Sequence, residues 1–315
     1  MTKDTHASDW SNYWQGRTAG EAGAALVGAG VETDTELAAF WADVFEGLAP
    51  ETRVLDMACG AGSALRAAHG AGLTELTGAD ISPDAVTSLK AAIPGAEGHV
   101  TGADKTSFPD GAFDLVVSQF GFEYAGWQAA TPEMIRLIAP GGQFTAIAHL
   151  AGGAIEAEVR DKLDECIELD GAGFIPVAET MFTALFAADA DPEAAEKQEA
   201  LKTAIARFQS AEQKLASLAA TQGGQAKHLH DGARALYQRR QAYKLEDVLG
   251  WLSGMSAEIA AYHGRMKSMT DAALSEDDAV ALMALFTSAG FTAEPPTKLK
   301  LDGEAAAWVL KAQRS

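Results

Sequence analysis

Cysteine is nearly absent: Cys59 and Cys166 are the only two in 315 residues. One pair cannot build a disulfide framework, and free thiols suit a reducing compartment, so a cytoplasmic protein is expected. Basic residues are also scarce, 24 Lys and Arg against 44 Asp and Glu, for a formal charge of −20. Affinity for nucleic acid rests on Lys and Arg displacing counterions from phosphates, and the same deficit repels anionic lipid. Neither nucleic acid nor a membrane is an expected partner. No uninterrupted apolar run reaches the roughly 20 residues that span a bilayer, and the opening MTKDTHASDW has no apolar signal core. Apolar residues in total are plentiful at 48%, enough for a substantial core in a chain longer than one average domain.

Strand and helix signals alternate through the first half. TDTELAAFWADVFEGLAP, with Leu37, Phe40, Trp41, Val44 and Phe45 on one face, predicts a helix capped by Thr33 or Asp34 and closed at Pro50. Strands are predicted at RVLDMA, ELTGAD, GHVTG, FDLVVSQF and QFTAIAHL, with helices between them; Ser82 and Pro83 cap and open one of these. FDLVVSQF is a near-continuous apolar run, as expected of a strand buried on both faces. The alternation stops after His149. Helical signals alone fill the next 120 residues or so, far more than a connection needs. A helix at SEDDAVALMALFTSAG and two strands, FTAEPPTKLKL and EAAAWVLKAQR, then return to the earlier pattern. The expected fold is α/β, a doubly wound, mostly parallel seven-stranded sheet with a large all-helical insertion after strand five. Expected boundaries are an N-terminal aromatic segment and helix to 50, a core over 51–150, the insertion over 151–273, and a C-terminal return over 274–315.

The chemistry begins at VLDMACGAGSAL, residues 54 to 65. A dinucleotide fingerprint wants G-x-G-x-x-G after the first strand, yet only Gly60 and Gly62 are present and Leu65 stands in the third place. Asp56, at the strand end, would oppose a pyrophosphate. A zwitterionic amino acid resolves the conflict: its ammonium pairs with the carboxylate while its own carboxylate takes the N–H groups of the turn. Methionine carrying an adenosyl group is such a ligand. Asp80 ends the second strand, where an acid can accept both ribose hydroxyls, and Ile81 follows as a purine contact. Asp104, after the third strand, can accept from an adenine amino group, with Lys105 beside it. An Asp at one strand end is often only a turn residue. Three at successive strand ends line the crevice where such sheets bind ligands.

With VLDMACGAGSAL, LTGADISPDAV, TGADKTSFPDGAFDLVVSQFGFEY and the APGGQF turn, the chain resembles the class I S-adenosylmethionine-dependent methyltransferases, in their ubiquinone/menaquinone-related branch. The likeness covers roughly residues 50 to 150. It implies a Rossmann-like core with S-adenosylmethionine as cofactor, the methionine end at Asp56, Gly60 and Gly62, the ribose at Asp80, and the adenine at Asp104 with Ile81 and Lys105. It further implies that Ser118, Gln119 and Phe120 pass near the transferable methyl. Ala58 stands where the family usually has glycine, a replacement expected to cost little. DWSNYWQGR resembles a segment that folds over the cofactor in that branch, which would place Tyr13, Trp14 and Arg17 at the site; packing aromatics and a surface Arg are the plainer reading.

No metal site is expected. His149, at the end of strand five, is the candidate base, with Glu123 and Tyr124 as alternatives for positioning or proton removal. No Asn-Pro-Pro-Tyr-like tetrapeptide follows strand four, which together with the acidic surface favours a small organic acceptor methylated at oxygen or carbon. Phe174, Met181, Phe182, Phe186, Tyr262, Met266 and Met269 could line its pocket or simply form the insertion's own core. Leu201, Phe208 and Leu215 form a heptad stripe that packs inside the insertion or against a second subunit, so a homodimer is open. Arg234, Arg239, Arg240 and Lys244 read as a solvated helix face. The competing readings are a cofactor-binding protein without methyl transfer, a transferase of some other group, and a nicotinamide oxidoreductase; the last fits neither Asp56 nor the missing third glycine.

Overall fold

The computed structural model describes residues 31–315, with side chains from residue 35 onward. Its first half runs α1 (Val31–Phe45), β1 (Val54–Met57), α2 (Ser63–Gly70), β2 (Leu76–Asp80), α3 (Pro83–Ala92), β3 (Glu97–Val100), β4 (Phe113–Gln119), α4 (Trp127–Leu137) and β5 (Ile138–His149). Thr33 and Asp34 lie within α1 rather than capping it. Five helices follow, α5 (Ala154–Gly171), α6 (Phe174–Ala190), α7 (Ala195–Thr221), α8 (Gly224–Gln238) and α9 (Leu245–Ala272). The chain closes with α10 (Glu276–Ser288), β6 (Phe291–Ala293), β7 (Thr297–Leu301) and β8 (Glu304–Arg314).

The strands form one sheet in the order β3-β2-β1-β4-β5-β8-β6, with β7 also on β8. Strands β1 to β5 pair in parallel, and β8 runs antiparallel to β5, β6 and β7. The chain reverses direction across the sheet between β1 and β4, which opens a crevice at their carboxyl ends. The sheet has eight strands, not seven. Pro295 and Pro296 supply no backbone N–H and cut FTAEPPTKLKL into β6 and β7, which pair with separate stretches of β8. As expected, Ser82 caps α3 by accepting from Ala85 N, with Pro83 in the first turn. Leu55, Met57, Val116, Phe144 and Ala146 of the sheet bury against Met134 and Leu137 of α4 and Leu282 and Phe286 of α10. Phe144 and Phe286 stack with ring centroids 4.5 Å apart.

Two compact units divide the chain: one runs to Arg160 and resumes at Arg265–Ser315, and the other is Asp161–Gly264. α5 and α9 carry the chain across these boundaries. In the first unit the departing and returning chain meet, because Leu274 N donates to His149 O at 2.8 Å and Ala151 N donates to Leu274 O at 2.9 Å. The helical unit has its own core, built on Phe174, Met181, Phe182, Leu215, Leu229, Val248 and Leu252, with Phe186, Leu201 and Phe208 packed against it. Three of the candidate pocket residues, Phe174, Met181 and Phe182, are therefore interior to that unit, and Phe186 packs partly buried against them. The heptad stripe packs against this core too, with Leu215 fully buried and Leu201 and Phe208 partly so, since a helix buries its apolar stripe against whatever neighbour is nearest. Residues 154–190 reach a mean hydropathy of 1.4 over 18 residues, enough by composition to cross a membrane. They form two helices broken at Ala172 and Gly173, and the buried face of α6 belongs to this core. Arg240, in the expected solvated cluster, pairs with Asp189 at 2.9 Å.

Candidate active site

Side chains alternate along a strand, and paired residues of parallel neighbours share a face. The pairs Asp56↔Gly78, Asp56↔Val117 and Val117↔Thr145 therefore put Asp56, Asp80, Gln119 and His149 on one face, at the carboxyl ends of four strands. Asp80 accepts from Gly60 N through one oxygen and from Ser82 N through the other, both at 2.8 Å. It thus ties the glycine turn to the end of β2. Burial raises its pKa, and the N–H groups of Ser82, Gly60 and Ile81 pull it back. Asp56 is buried, and its Oδ1 has no partner among the described residues. Burial and the nearby Asp80 charge push its carboxyl well above the ordinary range, with only Arg66 opposing.

The turn between them is built by backbone conformation. Gly60 (φ 52) and Gly62 (φ 81) are left-handed, and Gly62 opens α2 without a side-chain cap for the N–H groups of its first turn. Ala58 is also left-handed, at φ 57. This corrects the expectation that alanine costs little there: a Cβ in that region costs about 1–2 kcal/mol. Ala58→Gly is therefore expected to raise stability by about 1 kcal/mol, after allowing for the looser unfolded chain, and urea denaturation of the pair measures it. The space opposite is kept by Gly121, where an added Cβ would lie 2.5 Å from the Ala58 Cβ and 2.8 Å from its carbonyl oxygen. Cys59 is buried, and burial followed by the charges of Asp80 and Asp56 raises its thiol pKa, which keeps it a neutral filler.

Ile81 and Asp104 are half-buried and Lys105 is exposed. The loop bearing Asp104 and Lys105 is held by a clamp that no sequence motif announced. Glu133 of α4 accepts from Thr106 N and Thr106 Oγ1, each at 2.7 Å, and pairs with Arg136, which also donates to Phe108 O and Asp110. A Glu and Arg three apart on a helix signal only a surface pair; their loop partners become visible in three dimensions alone. Ser118 is fully buried and donates to Met57 O at 2.6 Å while accepting from Phe122 N. Its hydroxyl thus holds the backbone of β1 and of the turn after β4. Gln119 accepts from Trp41 Nε1 at 2.5 Å, which brings α1 to the site. Phe120 turns the chain off β4 at φ 51. Tyr13, Trp14 and Arg17 lie outside the described residues.

The three candidate catalytic residues come together. His149 Nδ1 lies 2.8 Å from Glu123 Oε1, which also accepts His149 N at 3.1 Å. The His149 ring sits between Phe120, with centroids 4.7 Å apart, and Tyr124 at 5.6 Å. Among the described residues no group of His, Cys, Asp and Glu could hold a metal ion.

Residues 54–142 match a methyltransferase domain family. A demethylmenaquinone methyltransferase of Thermus thermophilus is 40% identical over 101 residues, covering 30% of this chain and 46% of the relative. The chain thus aligns with about half the length of that relative. Solved structures with similarity include a methyltransferase in complex with the Trm112 activator of Haloferax volcanii (28% identity, 36% of this chain and 53% of that one, TM-score 0.34). Geranyl diphosphate C-methyltransferase of Streptomyces coelicolor is another (17%, 46% and 65%, TM-score 0.37). With the acid-flanked glycine turn at the head of a parallel sheet, the match identifies residues 54–142 as a methyltransferase domain.

Proposed function

We propose that this chain binds S-adenosylmethionine at the carboxyl ends of β1, β2 and β3 and methylates a small organic acceptor at oxygen or carbon. The observation that carries the reading is the buried Asp56 Oδ1, without a partner among the described residues, beside an uncapped helix start. A buried carboxylate oxygen costs free energy unless a donor meets it, and a free helix start attracts an anion. One amino acid head group satisfies both, so the residues fit the cofactor. Asp80 retains lone pairs for a diol, and in this reading the half-buried Ile81 and Asp104 take the purine. Bound, the cofactor supplies an electrophilic methyl carbon on a sulfonium that leaves as a neutral thioether. The chain's part is to orient the two reactants and exclude water. A net charge of −20 favours a small acceptor over a polyanion.

Calorimetric titration tests this. S-adenosylmethionine and S-adenosylhomocysteine are expected to bind the wild type in the micromolar range, and Asp56→Ala to weaken both about 10- to 100-fold, the worth of a charged hydrogen bond. The ammonium favours ionised Asp56, whose carboxyl burial holds high, so binding expels a proton and tightens as pH rises. Titrations in two buffers of different ionisation enthalpy read that proton. No heat from the wild type would overturn the proposal.

A further inference from the structure

We infer that His149 and Glu123 form a proton-accepting pair: Nε2 of His149 takes the proton of a hydroxyl acceptor, a phenol or an enol, and Glu123 is its positioning residue. This rests on the methyltransferase reading and adds the class of the acceptor. The two side chains are 2% and 0% exposed. Glu123 Oε1 holds both the ring Nδ1 and the backbone N–H of His149, Leu274 N holds its carbonyl oxygen, and two aromatic rings flank the imidazole. The ring cannot turn without breaking these contacts. A carboxylate only accepts, so the proton sits on Nδ1 and Nε2 presents a lone pair.

That lone pair meets nothing among the described residues. Nε2 is buried and has no hydrogen-bond partner among the described residues, and the same holds for Glu123 Oε2. A histidine buried for packing alone would have both nitrogens satisfied. His149 also lies on the face that carries Asp56 and Asp80, at the end of the strand next to β4, and Glu123 follows β4 in the adjoining turn. There the step balances. The acceptor oxygen bonds to the methyl carbon with one of its own pairs while the carbon–sulfur pair stays on sulfur. The O–H proton passes to Nε2, the imidazolium is held against the Glu123 carboxylate, and the proton returns to solvent after the product leaves.

A base is useful only where the acceptor keeps its proton at neutral pH. A carboxylic acid is already ionised and would face Glu123, Asp56 and Asp80. An amine attacks through its lone pair before any N–H is lost. A phenolic hydroxyl, with a pKa of about 10, gains most from Nε2.

Three measurements decide it. Titration of the wild type with S-adenosylmethionine comes first; absence of binding there removes the underlying methyltransferase reading. Nitrogen-15 spectra of the ligand-free, histidine-labelled protein, assigned with His149→Asn, are expected to show His149 protonated on Nδ1 only. Glu123→Ala should give a mixture of tautomers, and Glu123→Gln, the gentler change, should keep the tautomer. Methyl transfer to phenol, 4-nitrophenol and aniline is then compared at pH 8. His149→Asn, which can still donate to Glu123, should slow phenol about 100-fold or more, the usual worth of a general base. It should slow 4-nitrophenol, already largely ionised, less than about 10-fold. Equal losses on both phenols, a proton on Nε2, or cofactor binding with no phenol methylated would each overturn the inference.

Discussion

Replacing Asp80 with alanine is expected to remove measurable S-adenosylmethionine binding and to weaken the fold in the same step. Both effects come from one carboxylate. Its two oxygens accept Gly60 N and Ser82 N in a buried setting, so truncation leaves two donors without partners. At about 1–3 kcal/mol for each such group, partly offset by removal of a desolvated charge, the loss is about 2–4 kcal/mol. Freed from Asp80, the glycine turn no longer keeps the shape that presents its N–H groups. Loss of the proposed diol contacts adds a further factor of about 100 or more in affinity. Asp80→Asn separates the two: its carbonyl oxygen still accepts one N–H while its amide opposes the other, so it should recover about half of the stability and little of the binding. Urea denaturation and calorimetry on the same samples read both quantities. Tight binding by folded Asp80→Ala protein would place the ribose elsewhere.

The second large effect lies at Glu133 and appears with pH. Burial alone would raise this carboxyl, but donors from Arg136 and from the side chain and backbone of Thr106 outweigh it and lower the pKa from 4.5 to about 2. A group depressed in the folded state contributes stability above its unfolded pKa and loses it as pH falls through the folded one. The contribution is therefore complete above about pH 5, declines between 4.5 and 2, and amounts to about 3 kcal/mol. Glu133→Gln should be less stable than wild type by about that much at pH 7, with the gap closing toward pH 2. Taking the difference between the two proteins cancels the other acids, and chemical denaturation across pH 2.5 to 7 measures it. A constant gap would show that Glu133 acts by packing. Because the clamp fixes the loop bearing Asp104, Glu133→Gln should also bind S-adenosylmethionine more weakly.

Several parts of this protein were legible without coordinates. The run VLDMACGAGSAL predicted a strand, a turn and a helix, and β1, the left-handed Gly60 and Gly62, and α2 stand there. Ser82 and Pro83 predicted the start of α3 because capping is a local matter of one hydroxyl and one fixed φ. The arrest of alternation after His149 predicted a helical excursion, since periodicity reports which side of each segment is buried. Other features involved residues far apart in the chain. Ser118 looked like a ligand neighbour from its place after β4, yet its hydroxyl serves Met57 and Phe122. Ala58 looked harmless because a sequence does not print φ.

Sequence by itself determined the fold class, the glycine turn and the acids at or after successive strands, because strand period, turn chemistry and charge type are properties of short segments. Tertiary structure alone decided the rest. It joined Asp80 to Gly60 across twenty residues, set Glu123 against His149 across twenty-six, and packed the heptad stripe against the helical core. Those outcomes depend on which segments the sheet order makes neighbours, and on burial, which gives a hydrogen bond or an unpartnered atom its weight.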